Sequence, residues 1–256
     1  MGANQNSYTI VSNERLTPRF WHLCVDAESI ADSVQPGQFI HIKVREGMEP
    51  FFRRPFSVYR ALNHIEVLYE VVGKGTEILS QKKKGDALDV LGPLGTPFTI
   101  PDENIENVVM VGGGIGVAPF MMLSDLLKAK EYKMLLLYGG RSKDHVYDMK
   151  ELAKNGCDIH IATNDGSHGV KGFVSELFSE IPPDSNKTRI YTCGPKPMMA
   201  AVQDFARTHN LKGEASCEEV LACGLGACLG CVTKTEQGYK TVCYDGPVFD
   251  LKDIVF

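Results

Sequence analysis

The chain has 256 residues, 43% of them hydrophobic, which is enough for ordinary cores and long enough for more than one domain. Its formal charge of −5 argues against a nucleic-acid binder, which needs a basic face. The opening Met1-Gly2-Ala3-Asn4-Gln5-Asn6-Ser7 holds no basic stretch followed by an apolar core, and the longest uncharged run, 107–124, is broken by glycines and a proline. Neither a secretory signal nor a membrane span is expected, and the reading is a cytoplasmic protein.

Residues 7–100 have the habits of short strands. Phe39-Ile40-His41-Ile42-Lys43-Val44 alternates apolar and polar residues, and Ile65-Glu66-Val67-Leu68-Tyr69-Glu70-Val71-Val72 does much the same. Turn signals fall at Pro36-Gly37 and Gly92-Pro93, and no helix-period segment of useful length appears. A small antiparallel barrel is predicted. Lys82-Lys83-Lys84 reads as a solvated turn.

The pattern changes over 106–215. Val108-Val109-Met110-Val111 is a buried strand followed by glycines, and Pro119 opens a helix to 129. Strands at 134–138, 158–161 and 189–193 alternate with helices at 148–155, 174–178 and 196–209. That alternation predicts a parallel sheet covered on both faces.

From Ser216 onward cysteines dominate. Of eight in the chain, four crowd into Cys223, Cys228, Cys231 and Cys243. In a chain read as unsecreted, such a cluster means metal before disulfide. Cys223-x4-Cys228-x2-Cys231 with a distant partner reproduces the plant-type [2Fe–2S] spacing. A four-cysteine zinc site is the competing reading, but zinc usually takes pairs of C-x2-C. Gly224, Gly226 and Gly230 allow sharp turns around a cluster and leave amides free for its sulfurs. The lobe is expected to be loop-rich and organised around something other than a hydrophobic core. Cys217 is a fifth nearby thiol, read as a small buried residue.

Gly112-Gly113-Gly114-Ile115-Gly116 follows a buried strand and precedes a helix, a place where amides bind phosphate. It is not a clean G-x-G-x-x-G and is weak evidence by itself. Cys193-Gly194-Pro195 closes another strand and leads into a helix. Both motifs fall at carboxyl ends of strands, so both can face one ligand. Arg141, Ser142 and Lys143 follow the second dinucleotide strand and leave the choice between NAD and NADP open.

Arg54-Pro55-Phe56-Ser57 resembles the flavin-binding element of the ferredoxin–NADP reductase superfamily, and the glycine run and Cys193-Gly194-Pro195 resemble its dinucleotide motifs. Gly73-Lys74-Gly75-Thr76, Leu91-Gly92-Pro93-Leu94-Gly95 and the stretch 222–231 are together similar to the electron-transfer subunits of bacterial class 1B dihydroorotate dehydrogenases. The resemblance implies an α/β plus all-β architecture: a flavin-binding antiparallel barrel (1–102), a parallel-sheet NAD-binding domain (103–215) and a [2Fe–2S] lobe (216–256).

It also implies site roles. Arg54 would meet flavin phosphate, with Pro55 and Phe56 shaping the loop and Ser57 bonding the isoalloxazine. Tyr69, Glu70 and Val71 would line its other side, and Gly75 and Thr76 the FAD pyrophosphate. Gly112, Gly113, Gly114, Gly116, Gly194 and Pro195 would hold the dinucleotide, Cys193 would sit near the nicotinamide, and Cys223, Cys228, Cys231 and Cys243 would be the cluster ligands. A partner catalytic subunit would carry FMN and the orotate site, two of each subunit forming a heterotetramer that serves pyrimidine synthesis. Such chemistry needs no side-chain acid or base. The seven histidines are scattered and call for no special reading. Two rivals are a flavin subunit of a related NADH-dependent ferredoxin:NADP oxidoreductase or sulfide dehydrogenase, and a zinc-containing nucleotide-sensing module. Leu225, Leu229 and Val232 are expected to contact the partner rather than pack inward.

Overall fold

The computed structural model describes residues 4–47 and 49–256. Met1, Gly2 and Ala3 of the opening stretch read above lie outside them.

The first sheet has seven antiparallel strands: β1 (Asn4–Arg15), β2 (Phe20–Asp26), β3 (Phe39–Lys43), β4 (Arg54–Ser57), β5 (Arg60–Ala61), β6 (Ile65–Glu70) and β7 (Ala87–Leu94). Their order is β4-β3-β7-β1-β2-β6-β5, so β4 and β5 are edges and the barrel is open between them. Across the gap Phe56 of β4 meets Tyr69 of β6 edge to face. Ile10, Val25, Ile40, Ile42 and Val67 fill the interior.

Two short helices stand where none was expected: α1 (Glu28–Ala31) and α2 (Lys74–Ser80). Neither is long enough to establish a 3.6-residue apolar repeat. The second is started by Thr76, whose hydroxyl accepts from the Val72 and Gly73 amides at 2.9 and 3.2 Å.

The second sheet joins the parallel strands β8 (Asn107–Gly113), β9 (Lys133–Gly140), β10 (Cys157–Thr163), β11 (Val170–Lys171), β12 (Thr188–Cys193) and β13 (Lys212–Ser216). Their order is β11-β10-β9-β8-β12-β13. From β8 the chain builds toward β9 and β10, then crosses back to β12. The reversal lies between β8 and β12, the place where open parallel sheets bind ligands. The uninterrupted apolar run of β8 is buried on both faces, as a sandwiched parallel strand must be. It is covered by α3 (Pro119–Leu127) and α4 (Lys150–Lys154), and on the other side by α5 (Lys196–Thr208). Met199, Val202 and Ala206 recur at helical spacing along the buried face of α5. The helix expected at 174–178 is a 3₁₀ turn over 174–180.

The last segment adds the hairpin β14 (Val232–Thr235) and β15 (Gly238–Thr241), then β16 (Val248–Asp250). β16 runs antiparallel beside β13 and so belongs to the dinucleotide sheet. The lobe is also less independent of a hydrophobic core than expected. Leu221, Cys231, Val242, Cys243 and Ile254 pack with Val109 and Ile190 of the sheet and with Phe39 and Leu94 of the barrel. One core therefore joins all three parts of the chain. No helix among the described residues is long and apolar enough to cross a membrane.

Candidate functional site

A cleft of about 280 Å³ opens where the three parts meet. The barrel gives it Phe39, the run Arg54-Pro55-Phe56-Ser57, and Tyr69, Glu70, Val72 and Thr76. Ile115 and Ala118 come from the glycine motif, and Ser216, Glu218, Leu221, Val242 and Pro247 from the last stretch. Of the candidate flavin residues, Val71 and Gly75 stay outside the lining, Val71 exposed and Gly75 buried beneath Arg54.

Arg53 and Arg54 divide their work. The Arg53 guanidinium is paired with the Asp89 carboxylate at 2.6 Å. Arg54 donates to the Phe52 carbonyl at 2.7 Å and pairs with no carboxylate among the described residues. Its side chain lies over Gly75, where a Cβ would come within 2.6 Å of Nε. A guanidinium with no carboxylate partner on a glycine floor is a cradle for an anion such as phosphate. Thr76 contributes less freely than expected, because its hydroxyl also donates to the Gly73 carbonyl and is used by the turn. Ser57 is half-buried, and its hydroxyl has no protein partner among the described residues.

The two glycine motifs touch. Gly112 is in register with Cys193 across β8 and β12. A Cβ on Gly116 would lie 2.5 Å from the Cys193 carbonyl oxygen, and one on Gly194 would lie 2.9 Å from the Gly113 amide. Only bare backbone permits this approach, so both turns present amides to one place. From the barrel, Glu70 reaches toward Gly114 and is held by Arg19 at 2.8 Å.

Cys193 is fully buried behind this wall rather than lining the cleft. Burial, the Glu218 charge and Cys217 push its pKa up against the Ser216 hydroxyl, so it is a thiol and not a thiolate at neutral pH. Glu218 escaped the sequence reading. It is exposed where it lines the cleft, and desolvation by the groups around its carboxyl pushes its pKa up. Its position just past a parallel strand, at the carboxyl end of the sheet, was the available signal.

The four clustered cysteines fall into two pairs. Cys223 lies against Cys228, and Cys243 against Cys231. The second pair is buried, whereas Cys228 is exposed. Backbone amides point at the sulfurs: Leu225 to Cys223 at 3.4 Å, Gly226 to Cys243 at 3.1 Å, and Gly230 to Cys228 at 3.4 Å. Burial works against ionising Cys223, but the Leu225 and Cys228 amides and the Cys228 thiol outweigh it and hold the pKa at about 7. Cys243 is pushed up to about 12 by burial and by the crowding of Cys231 and Cys223. Thiols crowded like this need cationic charge to ionise together. Among the described residues no three His, Cys, Asp or Glu side chains converge as a single-ion site. Thiols reached by backbone amides suit an iron–sulfur cluster, whose sulfurs accept such bonds.

The family described as the iron–sulfur cluster binding domain of dihydroorotate dehydrogenase B matches residues 218–255, and the oxidoreductase NAD-binding domain matches 110–204. The electron transfer subunit of dihydroorotate dehydrogenase B (NAD(+)) from Bacillus mycoides (strain KBAB4) is 37% identical over 255 residues, 96% of each chain. The chain belongs to this family of electron-transfer subunits. The Bacillus cereus (strain Q1) subunit is equally similar, at 37% identity and the same coverage. Among solved structures, one of the NADH-dependent reduced ferredoxin-NADP oxidoreductase superposes with a TM-score of 0.86 and 28% identity, over 97% of this chain and 89% of the other. A ferredoxin NADP+ reductase from Neisseria gonorrhoeae with bound FAD and NADP gives 0.68 at 18% identity, covering 80% and 91%, a likeness of fold. The family membership makes this subunit an oxidoreductase with an iron–sulfur cluster and NAD among its cofactors. The zinc module is thereby set aside.

Proposed function

We propose that the chain passes electrons between an FMN-containing dihydroorotate dehydrogenase catalytic subunit and NAD⁺, in the cytoplasm, as half of a heterotetramer with two of each subunit, on the route to UMP. A bound flavin supplies the exchange between two-electron hydride transfer and the single electrons an iron–sulfur cluster handles. The chain's own residues hold and shield. Arg54 anchors flavin phosphate over Gly75, Ser57 offers its hydroxyl to the ring, and the amides of Gly113, Gly114, Gly116 and Gly194 receive the dinucleotide, with Pro195 fixing the second turn. Glu218 lines the cleft that would hold the flavin, and Cys193 supports the wall from behind.

The observation that carries this reading is the polarity of the cysteine lobe. Cys231 and Cys243 share a core with Val242 and Leu221, which line the cleft, while Cys228 and its flanking leucines face outward. A cluster held there has one side toward the flavin cleft and one toward a partner. The deciding experiment compares the isolated chain with a mixture containing the catalytic subunit. Alone, it should reduce a dye with NADH and not oxidise dihydroorotate; the mixture should gain dihydroorotate:NAD⁺ activity. Robust dihydroorotate oxidation by this chain alone would overturn the reading.

Arg54→Ala tests the flavin site. Loss of a charge-assisted bond to phosphate removes about 1.5–3 kcal/mol, roughly tenfold or more in affinity. FAD retained per chain after gel filtration should fall accordingly, and unchanged retention would remove Arg54 from the site.

A further inference from the structure

His41 lies on β3 and is 0% exposed. Strand alternation turns Ile40 and Ile42 into the barrel interior, which leaves His41 on the face of Phe39. Phe39 packs in the core shared with Leu94, Cys231 and Cys243, so that face meets the cysteine lobe. Gly224, the residue after Cys223, closes over the imidazole. A Cβ on Gly224 would stand 2.6 Å from Nδ1, and the residue holds φ at +73°. Ring and cluster loop are seated against each other, and only glycine fits between them.

Neither Nδ1 nor Nε2 has a hydrogen-bond partner among the described residues. The Arg53 carbonyl is nearby but lacks hydrogen-bond geometry. Burial first, then the charges of Arg53 and Arg54, hold the pKa near 4 against that carbonyl. At neutral pH the ring is therefore neutral, with one N–H to give. A buried donor left without an acceptor destabilises the fold. A leucine would avoid that cost on a face shared with Phe39 and Leu94. The acceptors this chain would bring beside Gly224 are the anionic sulfurs of a [2Fe–2S] group and its cysteine thiolates.

We propose that His41 is a positioning residue of the cluster site, its buried imidazole N–H serving cluster sulfur and its ring seating the Gly224 loop. This rests on reading Cys223, Cys228, Cys231 and Cys243 as the ligands. A donor to cluster sulfur favours the reduced, more negative state and raises the reduction potential. His41 would add a side-chain donor to the amides of Leu225, Gly226 and Gly230 that already face the sulfurs.

The test uses the holo-chain labelled with [¹⁵N]histidine and reduced with dithionite. Pulsed EPR should find a histidine nitrogen coupled to the cluster spin, and the coupling should vanish in His41→Leu. In a redox titration, His41→Leu should be about tenfold harder to reduce, ~59 mV for a one-electron couple. His41→Asn, which keeps an N–H, should recover much of that shift; FAD content reports folding of each variant. No histidine coupling in the wild type, an unshifted potential in His41→Leu, or an equal shift in both variants would overturn the proposal. If His41→Leu holds no cluster, the wild-type coupling and His41→Asn still decide. Wild-type protein with iron and no [2Fe–2S] signal would instead sink the ligand reading, and His41 with it.

Discussion

Replacing Cys228 with Ser is expected to remove the cluster and leave FAD in place. Cys228 belongs to the outward pair and lies on the exposed turn between Gly226 and Gly230. Its loss breaks one ligand position without opening the shared core. Cys243 is a different case, because it is buried beside Val242, which lines the cleft proposed for flavin. Cys243→Ser should therefore lose the cluster and also loosen FAD. Iron, sulfide and FAD per chain separate the two variants. Cys228→Ser should keep NADH-to-dye activity and fail to support dihydroorotate oxidation when the catalytic subunit is added. Normal iron content in that variant would put the ligand set in error and turn attention to Cys217. That thiol is buried just past β13, where it lines the cleft and shares a core with Cys231 and Cys243, its pKa pushed up to about 12 by burial and by Glu219.

What the sequence disclosed was local. The cysteine spacing, the glycine run and Arg54-Pro55-Phe56-Ser57 are each read within a few residues, and the strand–helix alternation over 106–215 needed only short windows. What it concealed depends on distant partners. Arg53 and Arg54 look alike until Asp89 claims one of them. Glu218 is one of two adjacent glutamates until the sheet places it at the cleft. His41 read as a polar member of an alternating strand and one of seven histidines without special meaning. It is buried because the lobe, some 180 residues later, covers that face of the barrel. The continuity of the core was hidden for the same reason, since β16 pairs with β13 across the whole cysteine segment.

Replacing Leu229 with Glu is expected to abolish coupled dihydroorotate:NAD⁺ activity and spare the dye reaction. Leu225, Leu229 and Val232 do not pack inward under the cluster; they are 52%, 64% and 39% exposed, with Tyr244 at 72% beside them in the lobe. The Tyr244 ring lies under Gly226, so these side chains and the cysteine turn form one surface. Leu229 also holds φ at +55°, a left-handed conformation that costs a side-chain-bearing residue about 1–2 kcal/mol. A leucine kept both exposed and strained gains nothing for the folded chain alone, and a partner that covers it supplies the missing stabilisation. Burying the leucine on association contributes about 1.5–3 kcal/mol, and burying an unpaired carboxylate opposes association further. Leu229→Glu should thus weaken subunit binding by roughly a hundredfold or more, about 3 kcal/mol. Leu229→Gly separates contact from strain. It removes the apolar group but suits the positive φ, so thermal stability should rise while subunit affinity falls. Titration of each variant with the catalytic subunit, read by coupled activity and by NADH-to-dye turnover in parallel, checks both. Wild-type affinity in Leu229→Glu would mean that the partner docks elsewhere, on a surface away from the outward cysteine pair.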